Sequence, residues 1–216
     1  YIDGIKTPPT PALFVGTRVH AGLETYYRHR QLGITLETEQ VTARMLATWD
    51  QAVEEEGMTF DAPEVAKPLQ SQALGLVTAY LEQAPKGERP LAVEAAVEVP
   101  LVDPASGEDL GIPLVGIMDL VLEAEARPAI VDFKTAARGG QLLEISNEVQ
   151  LSSYAYAYRH ATGTQEAELQ IRRLIKTKLP QIETHSYLAR SEAHFRRLFG
   201  VIRAYLDDLD SGRFVY

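Results

Sequence analysis

The stretch IPLVGIMDLVLEAEARPAIVDFKT, residues 112–135, decides the fold. It holds two apolar runs, residues 112–122 and 129–135, separated by an Arg127-Pro128 break. Apolar runs of this length that are bounded by turn residues predict strands, and the second run has the composition of a buried strand. Each run contains one aspartate, Asp119 or Asp132. We therefore expect two acidic side chains on neighbouring strands.

The flanking sequence supplies the other elements of a sheet. Residues 93–99 alternate between apolar and partly polar positions, which predicts a half-exposed strand. The turn residues at 103–107 then make the strand over 112–122 its antiparallel neighbour. Residues 169–175 alternate in the same way, and residues 181–189 are a candidate fifth strand. A period of three to four residues predicts helices over 12–31, 38–56, 64–83, 147–161 and 191–210.

This order of elements predicts an α/β fold in which helices flank a central mixed sheet. With no internal repeat and no long linker, we expect one domain over residues 1–216. Within it, residues 1–88 form a mainly helical part, residues 89–190 the catalytic sheet and helix, and residues 191–216 the C-terminal helix.

Composition excludes several classes of protein. The 216 residues are 45% hydrophobic and 24% charged, as in a globular protein with a real core. The absence of cysteine excludes, within these residues, disulfides, thiolate zinc sites and iron–sulfur clusters. The apolar runs are too short to span a membrane, and no secretory signal is visible, so we expect a cytoplasmic protein. Because residue 1 is Tyr, we also expect flanking residues in the native gene product.

Charge is unevenly distributed along the chain. The net charge is −9, yet residues 159–203 hold nine Lys or Arg and only four Asp or Glu. A solvated face is the more frequent explanation of such a segment. If the acidic half of the chain binds metal, the segment becomes a candidate wall that follows a DNA backbone. Its candidate DNA-binding residues are Arg172, Arg173, Lys176 and Lys178.

The two strand aspartates are candidates for a metal site. A carboxylate in an apolar strand costs several kcal/mol of desolvation unless a partner compensates it. Two such groups side by side favour a shared divalent cation, and oxygen ligands suit Mg²⁺ or Mn²⁺. Asp132 and Lys134 share one face of their strand, which would place an ammonium group beside a metal-bound water. An Asp132–Lys134 or Asp119–Lys134 ion pair explains the same residues equally well.

Three further side chains are candidates on helices. Gln150 and Tyr154 lie four residues apart and so share one helix face, from which both can hydrogen-bond a phosphate or a water. Taken alone, this pair is more simply explained by packing at the helix surface. His20 lies in the first helix, where a single histidine is more often a surface or core residue than a ligand.

Together, four motifs identify a family. Gly-x-x-x-His (16–20), Gly-x-x-Asp (116–119), Asp-x-Lys-Thr (132–135) and Gln-x-x-x-Tyr (150–154) occur in this order. The set resembles the RecB-like exonuclease branch of the PD-(D/E)XK nuclease superfamily, whose core is a restriction-endonuclease-like αβββαβ unit. The resemblance implies a DNA phosphodiesterase that uses one or two Mg²⁺ or Mn²⁺ ions.

The resemblance also implies roles for individual residues. His20, Asp119, Asp132 and the backbone carbonyl of Phe133 would be metal ligands. Lys134 would orient or help to deprotonate the attacking water, while Gln150 and Tyr154 would position water and phosphate. Glu94 matches a strand acid that is common in the family, although alternation makes Glu98 an equal candidate.

The sequence departs from many relatives in one respect. Those relatives hold an iron–sulfur cluster with cysteines; this chain either lacks the cluster or has its ligands beyond Tyr216. The short basic segment and the lack of a base-reading helix favour an exonuclease that acts on linear or single-stranded DNA ends.

The expected settings are DNA recombination, repair, or phage- or CRISPR-related DNA processing, with a helicase or recombination protein as a candidate partner and no membrane. One alternative is a catalytically inactive module of the same fold that binds DNA ends or docks a helicase. A second, an acidic small-molecule hydrolase, lacks the expected Gly-x-Ser-x-Gly, Walker-type and Gly-x-Gly-x-x-Gly motifs.

Overall fold

The two strands that carry the aspartates are antiparallel neighbours in a computed structural model of the chain. Leu120 lies opposite Val131 and Leu122 opposite Ala129, so the apolar positions of the two runs pair with one another. The structure describes residues 9–60, 63–124, 127–140 and 144–213, with the side chains of residues 63, 64 and 144–147 left aside. The predicted adjacency of these strands is confirmed.

The elements follow the predicted order. The helices are α1 Pro11–Gln31, α2 Thr38–Ala47, α3 Trp49–Glu55, α4 Pro63–Gln83, α5 Glu144–Thr162 and α6 Glu192–Asp210. The strands are β1 Pro90–Val102, β2 Asp109–Leu122, β3 Ala129–Ala136, β4 Glu168–Ile175 and β5 Gln181–Leu188. They form one sheet in the order β1-β2-β3-β4-β5. The predicted α/β fold with a mixed central sheet is confirmed.

One predicted helix is in fact two. The prediction of a single helix over residues 38–56 is wrong, because the chain breaks at Thr48, where φ is −101° and ψ is 2°. The Thr48 hydroxyl also donates to the carbonyl of Arg44 at 3.1 Å. The break turns Trp49 inward, where its ring meets the edge of Phe14 at 5.2 Å.

The chain forms two compact units. The first contains the described residues up to Val93 together with Asp132–Gly139 and Ile171–His185. In it α1 packs against α2 and α4, and Gly22 allows close approach, since a Cβ there would lie 2.6 Å from the sulfur of Met45. The prediction of a single domain stays a prediction.

The second unit contains Glu94–Val131, Gly140–Gln170 and the described residues from Ser186 onward. Here α5 packs on β2 and α6. The hydroxyl of Tyr156 on α5 donates to the carbonyl of Pro100 at 2.7 Å and accepts from the amide of Val102 at 2.8 Å. These two bonds fix α5 to the end of β1. Among the described helices, none has the length and apolarity needed to cross a membrane.

Candidate metal centre

Strand β3 carries the side chains of Asp132 and Lys134 on one face. Phe133, which lies between them in the sequence, points to the opposite face. Asp132 is only 1% exposed, and the Nζ atom of Lys134 lies 3.0 Å from its Oδ1 atom. The Lys134 side chain remains 37% exposed, so its ammonium group joins a buried carboxylate to solvent. The structure therefore contains the Asp132–Lys134 ion pair that the sequence left open. Such a pair is compatible with a role at a reaction centre.

Helix α1 brings His20 to β3 because residue 16 is a glycine. A Cβ at Gly16 would lie 3.1 Å from the Oγ1 atom of Thr135, so the glycine lets α1 lie close to the strand without a shift of the Thr135 side chain. One turn further along α1, the ring of His20 meets the edge of the Phe133 ring, with the centroids 6.3 Å apart. His20 is thus held beside the residue that separates Asp132 from Lys134.

Two acidic side chains of the second unit lie together and form a candidate ligand group. Glu94 on β1 and Asp119 on β2 each offer a carboxylate oxygen, and these two atoms lie within 4.8 Å of one another. Both side chains are half-buried, as is His20 in the first unit. Two carboxylate oxygens at this distance suit a divalent ion such as Mn²⁺ or Mg²⁺.

Glu94 has an unusual backbone conformation. Its φ angle is +47°, in the left-handed region that residues other than glycine rarely adopt. Such a conformation costs on the order of 1–3 kcal/mol and is found most often at functional sites. The kink also breaks the strict alternation of β1: Val93 is buried, while Glu94 and Ala95 are both half-buried. Alternation alone therefore could not distinguish Glu94 from Glu98, which is exposed and outside the ligand group.

This difference gives a matched pair of variants. Glu94→Gln removes a charged ligand without changing the size of the side chain, so we expect the dissociation constant for Mn²⁺ to rise by about tenfold or more. Glu98→Gln makes the same chemical change on the same strand and should leave that constant within about twofold of the wild-type value. Titration calorimetry with Mn²⁺ measures both. Equal behaviour of the two variants would remove Glu94 from the site.

Helix α5 holds the amide and phenol of the fourth motif together. The Nε2 atom of Gln150 donates to the hydroxyl oxygen of Tyr154 at 2.8 Å, as their spacing of one turn allows. Both side chains are half-buried. Amide N–H and phenol O–H groups are donors of the kind that contact water and phosphate.

The basic segment does not support a continuous phosphate-binding wall. Arg172 and Arg173 are buried and form ion pairs with Glu88 and Glu183. Neither guanidinium is therefore placed to follow a DNA backbone, which corrects the expectation for these two residues. Lys176 donates to the carbonyl of Ala12, and partial burial lowers the pKa of its ammonium group.

Lys178 remains exposed, so it stays a candidate DNA contact. The burial of Arg172 and Arg173 was not visible in the sequence, because two adjacent arginines in a strand resemble an exposed basic stretch. Their neighbours Ile171, Leu174 and Ile175 are fully buried, and apolar residues on both sides of the pair were the available signal.

The chain belongs to the PD-(D/E)XK nuclease superfamily, whose family model matches residues 1–215. Membership supports a hydrolase that acts on a nucleic acid. The crystal structure of a candidate exonuclease from Eubacterium rectale aligns with 99% of this chain and 73% of its own, at 14% identity and a TM-score of 0.57. At this identity the similarity shows the fold alone.

A second solved structure, that of SSO0001, aligns with 85% of this chain and 82% of its own, at 13% identity and a TM-score of 0.39. That similarity is too low to support an argument. No curated protein matches the chain.

Proposed function

We propose that this chain is a DNA exonuclease of the RecB-like branch that depends on Mg²⁺ or Mn²⁺. The observation that carries the proposal is the proximity of the Glu94 and Asp119 carboxylates in a member of a nuclease superfamily. Superfamily membership alone would also fit a chain that has lost its catalytic residues. The two neighbouring carboxylates, together with the Asp132–Lys134 ion pair, favour an active enzyme.

The residues present fit a divalent ion. His20, Glu94 and Asp119 would hold it, and Asp132 with the backbone carbonyl of Phe133 would complete the set. When bound, such an ion stabilises negative charge on a phosphoryl oxygen and makes a coordinated water more acidic. The donor set of one imidazole and several carboxylates fits Mn²⁺ at least as well as Mg²⁺.

The protein's own groups would carry out the remaining steps. The Lys134 ammonium group would donate a hydrogen bond to the attacking water or to a phosphoryl oxygen and so hold developing negative charge. Gln150 and Tyr154 would orient the water and the phosphate through hydrogen bonds from their amide and hydroxyl groups. The Asp132 carboxylate would hold the Lys134 ammonium group in place through their 3.0 Å ion pair.

An exonuclease is preferred to an enzyme that reads sequence. Lys178 is the member of the predicted DNA-binding set that is exposed, so within that set it is the candidate for a contact with the DNA backbone. Contacts of this extent suit linear or single-stranded ends. We place the protein in the cytoplasm, in DNA recombination, repair or phage- or CRISPR-related processing, with a helicase or recombination protein as partner.

Incubation with linear and covalently closed circular DNA of the same sequence tests this function. With Mn²⁺ or Mg²⁺ we expect end-labelled linear DNA to release short products while the circle stays intact, and EDTA should abolish the release. Glu98→Gln serves as an active control variant. Cleavage of the circle would contradict the exonuclease proposal. Metal uptake without release of nucleotides from either DNA would instead support the inactive end-binding module.

A further inference from the structure

A buried ring of hydrogen bonds lies behind the aromatic residue of the Asp-x-Lys motif. Arg172 on β4 donates to both oxygens of Glu88, at 2.6 and 3.2 Å. It also donates to the hydroxyl oxygens of Tyr80 at 2.7 Å and of Tyr27 at 3.3 Å. The side chains of Arg172 and Glu88 are 6% and 11% exposed. An ion pair and two phenols therefore share one buried space.

The number of hydroxyl protons fixes which phenol donates and which accepts in each hydrogen bond of the ring. Tyr27 donates to Glu88 at 2.8 Å, which uses its single hydroxyl proton. In the 2.6 Å contact between the two phenols, Tyr80 must then be the donor. Burial raises the pKa of both phenols, so both keep their protons at neutral pH. Each of the two hydroxyl groups in this closed ring therefore accepts one hydrogen bond and donates another.

The phenol rings connect the hydrogen-bonded ring to His20 through Phe133. Phe133 stacks on Tyr27 with centroids 6.0 Å apart, and it meets Tyr80 edge-on at 5.3 Å. The third ring against Phe133 is that of His20. His20 and Tyr27 lie seven residues apart on α1 and so share one face of the helix. Orientation of the imidazole thus depends on an aromatic cluster whose far side is held by Arg172 and Glu88.

Stability alone does not account for a polar ring at this place. A buried ion pair is often no better for stability than well-packed apolar residues of the same volume, because desolvation offsets the attraction. Apolar side chains could fill this space and still support Phe133. What they would lack is the fixed rotation of each ring that directional hydrogen bonds impose.

From these contacts we infer that Arg172, Glu88, Tyr27 and Tyr80 are positioning residues for metal binding, acting through Phe133 on His20. The inference rests on the proposed role of His20 as a ligand. Groups behind a metal ligand commonly change metal affinity by about 10- to 100-fold when they are replaced. The ring would hold Phe133, and through it the His20 imidazole, in one orientation.

The chain contains a matched control for this inference. Arg159 and Glu166 form another ion pair in which the carboxylate is fully buried, with two bonds of 2.7 Å, in the unit that does not contain Phe133. We expect Glu88→Gln to raise the Mn²⁺ dissociation constant by about tenfold. Both variants should lower the thermal midpoint of unfolding by a similar amount. Glu166→Gln, however, should leave the Mn²⁺ dissociation constant unchanged. Both are measured on the full chain by calorimetry.

A double-mutant cycle with His20→Ala separates positioning from general destabilisation. If the ring acts through His20, Glu88→Gln will not weaken Mn²⁺ binding further once the imidazole is gone, although it will still lower the thermal midpoint. Equal loss of affinity in both backgrounds, or equal effects of Glu88→Gln and Glu166→Gln, would overturn the inference. Wild-type Mn²⁺ affinity in His20→Ala would instead overturn the proposed metal site.

If Glu88→Gln fails to fold, Tyr80→Phe provides the same test, because it keeps both charges and the aromatic ring. It removes only the hydroxyl that accepts from Arg172 at 2.7 Å and donates to Tyr27 at 2.6 Å. We expect a smaller loss of Mn²⁺ affinity, about threefold, that also disappears in the His20→Ala background. An unchanged affinity in this folded variant would overturn the inference.

Discussion

Replacing Asp132 with asparagine is expected to lower the rate of DNA cleavage by about 10³-fold. The amide keeps the size of the side chain but loses the charge that would hold a cation at the buried end of β3. A metal ion contributes several kcal/mol of charge stabilisation in phosphoryl transfer, and about 4 kcal/mol corresponds to a factor of 10³ in rate. The rate is measured as nucleotide release from end-labelled linear DNA at saturating Mn²⁺.

The fold should survive this change. Asp132 lies within apolar surroundings on β3, and asparagine can still accept a hydrogen bond from Lys134. We expect the circular dichroism spectrum and the thermal midpoint in EDTA to stay close to those of the wild type. Cleavage at more than a tenth of the wild-type rate by the folded variant would contradict the role of Asp132.

The second large effect is expected at Lys134. Lys134→Met keeps most of the length and packing of the side chain but removes the ammonium group that lies 3.0 Å from Asp132. Loss of one group that stabilises transition-state charge typically costs 10²- to 10³-fold in rate, and we expect a loss of about this size. Binding of Mn²⁺ should remain, because no amine ligand is removed from the proposed site.

A lysine elsewhere on the surface is the control for this variant. Lys67→Met makes the same substitution at an exposed position of α4 and should leave the cleavage rate within about twofold of the wild-type rate. A Lys134→Met enzyme that cleaves as fast as Lys67→Met would exclude the ammonium group from the reaction. Loss of Mn²⁺ binding in Lys134→Met would show instead that Lys134 acts by holding the site together.

The arrangement of β2 and β3 could be predicted from the sequence because local rules agree there. Each run is apolar, turn residues bound both, and each carries a single acid at a position where an unpaired charge would be costly. The break at Thr48 was missed for the opposite reason. Apolar periodicity continues from Val41 to Val53 across the break, so the spacing of apolar residues carries no signal of the helix end at Thr48.

Site residues that depend on distant contacts were harder to predict. Glu94 could not be separated from Glu98, because the choice depends on a left-handed backbone conformation within β1. Arg172 looked like a surface cation, since its partners Glu88 and Tyr27 lie far away in the sequence. Buried charges paired over such distances leave little local trace in the sequence, apart from the apolar residues on either side.

Anomalous diffraction from crystals grown with Mn²⁺ tests the central claim most directly. We expect one strong peak within about 2.0–2.3 Å of ligand atoms from His20, Glu94 and Asp119, with Asp132 as a further ligand. The same crystals grown with EDTA should lack it. Fully occupied Mn²⁺ at other residues, with none of these four side chains in contact, would contradict the account.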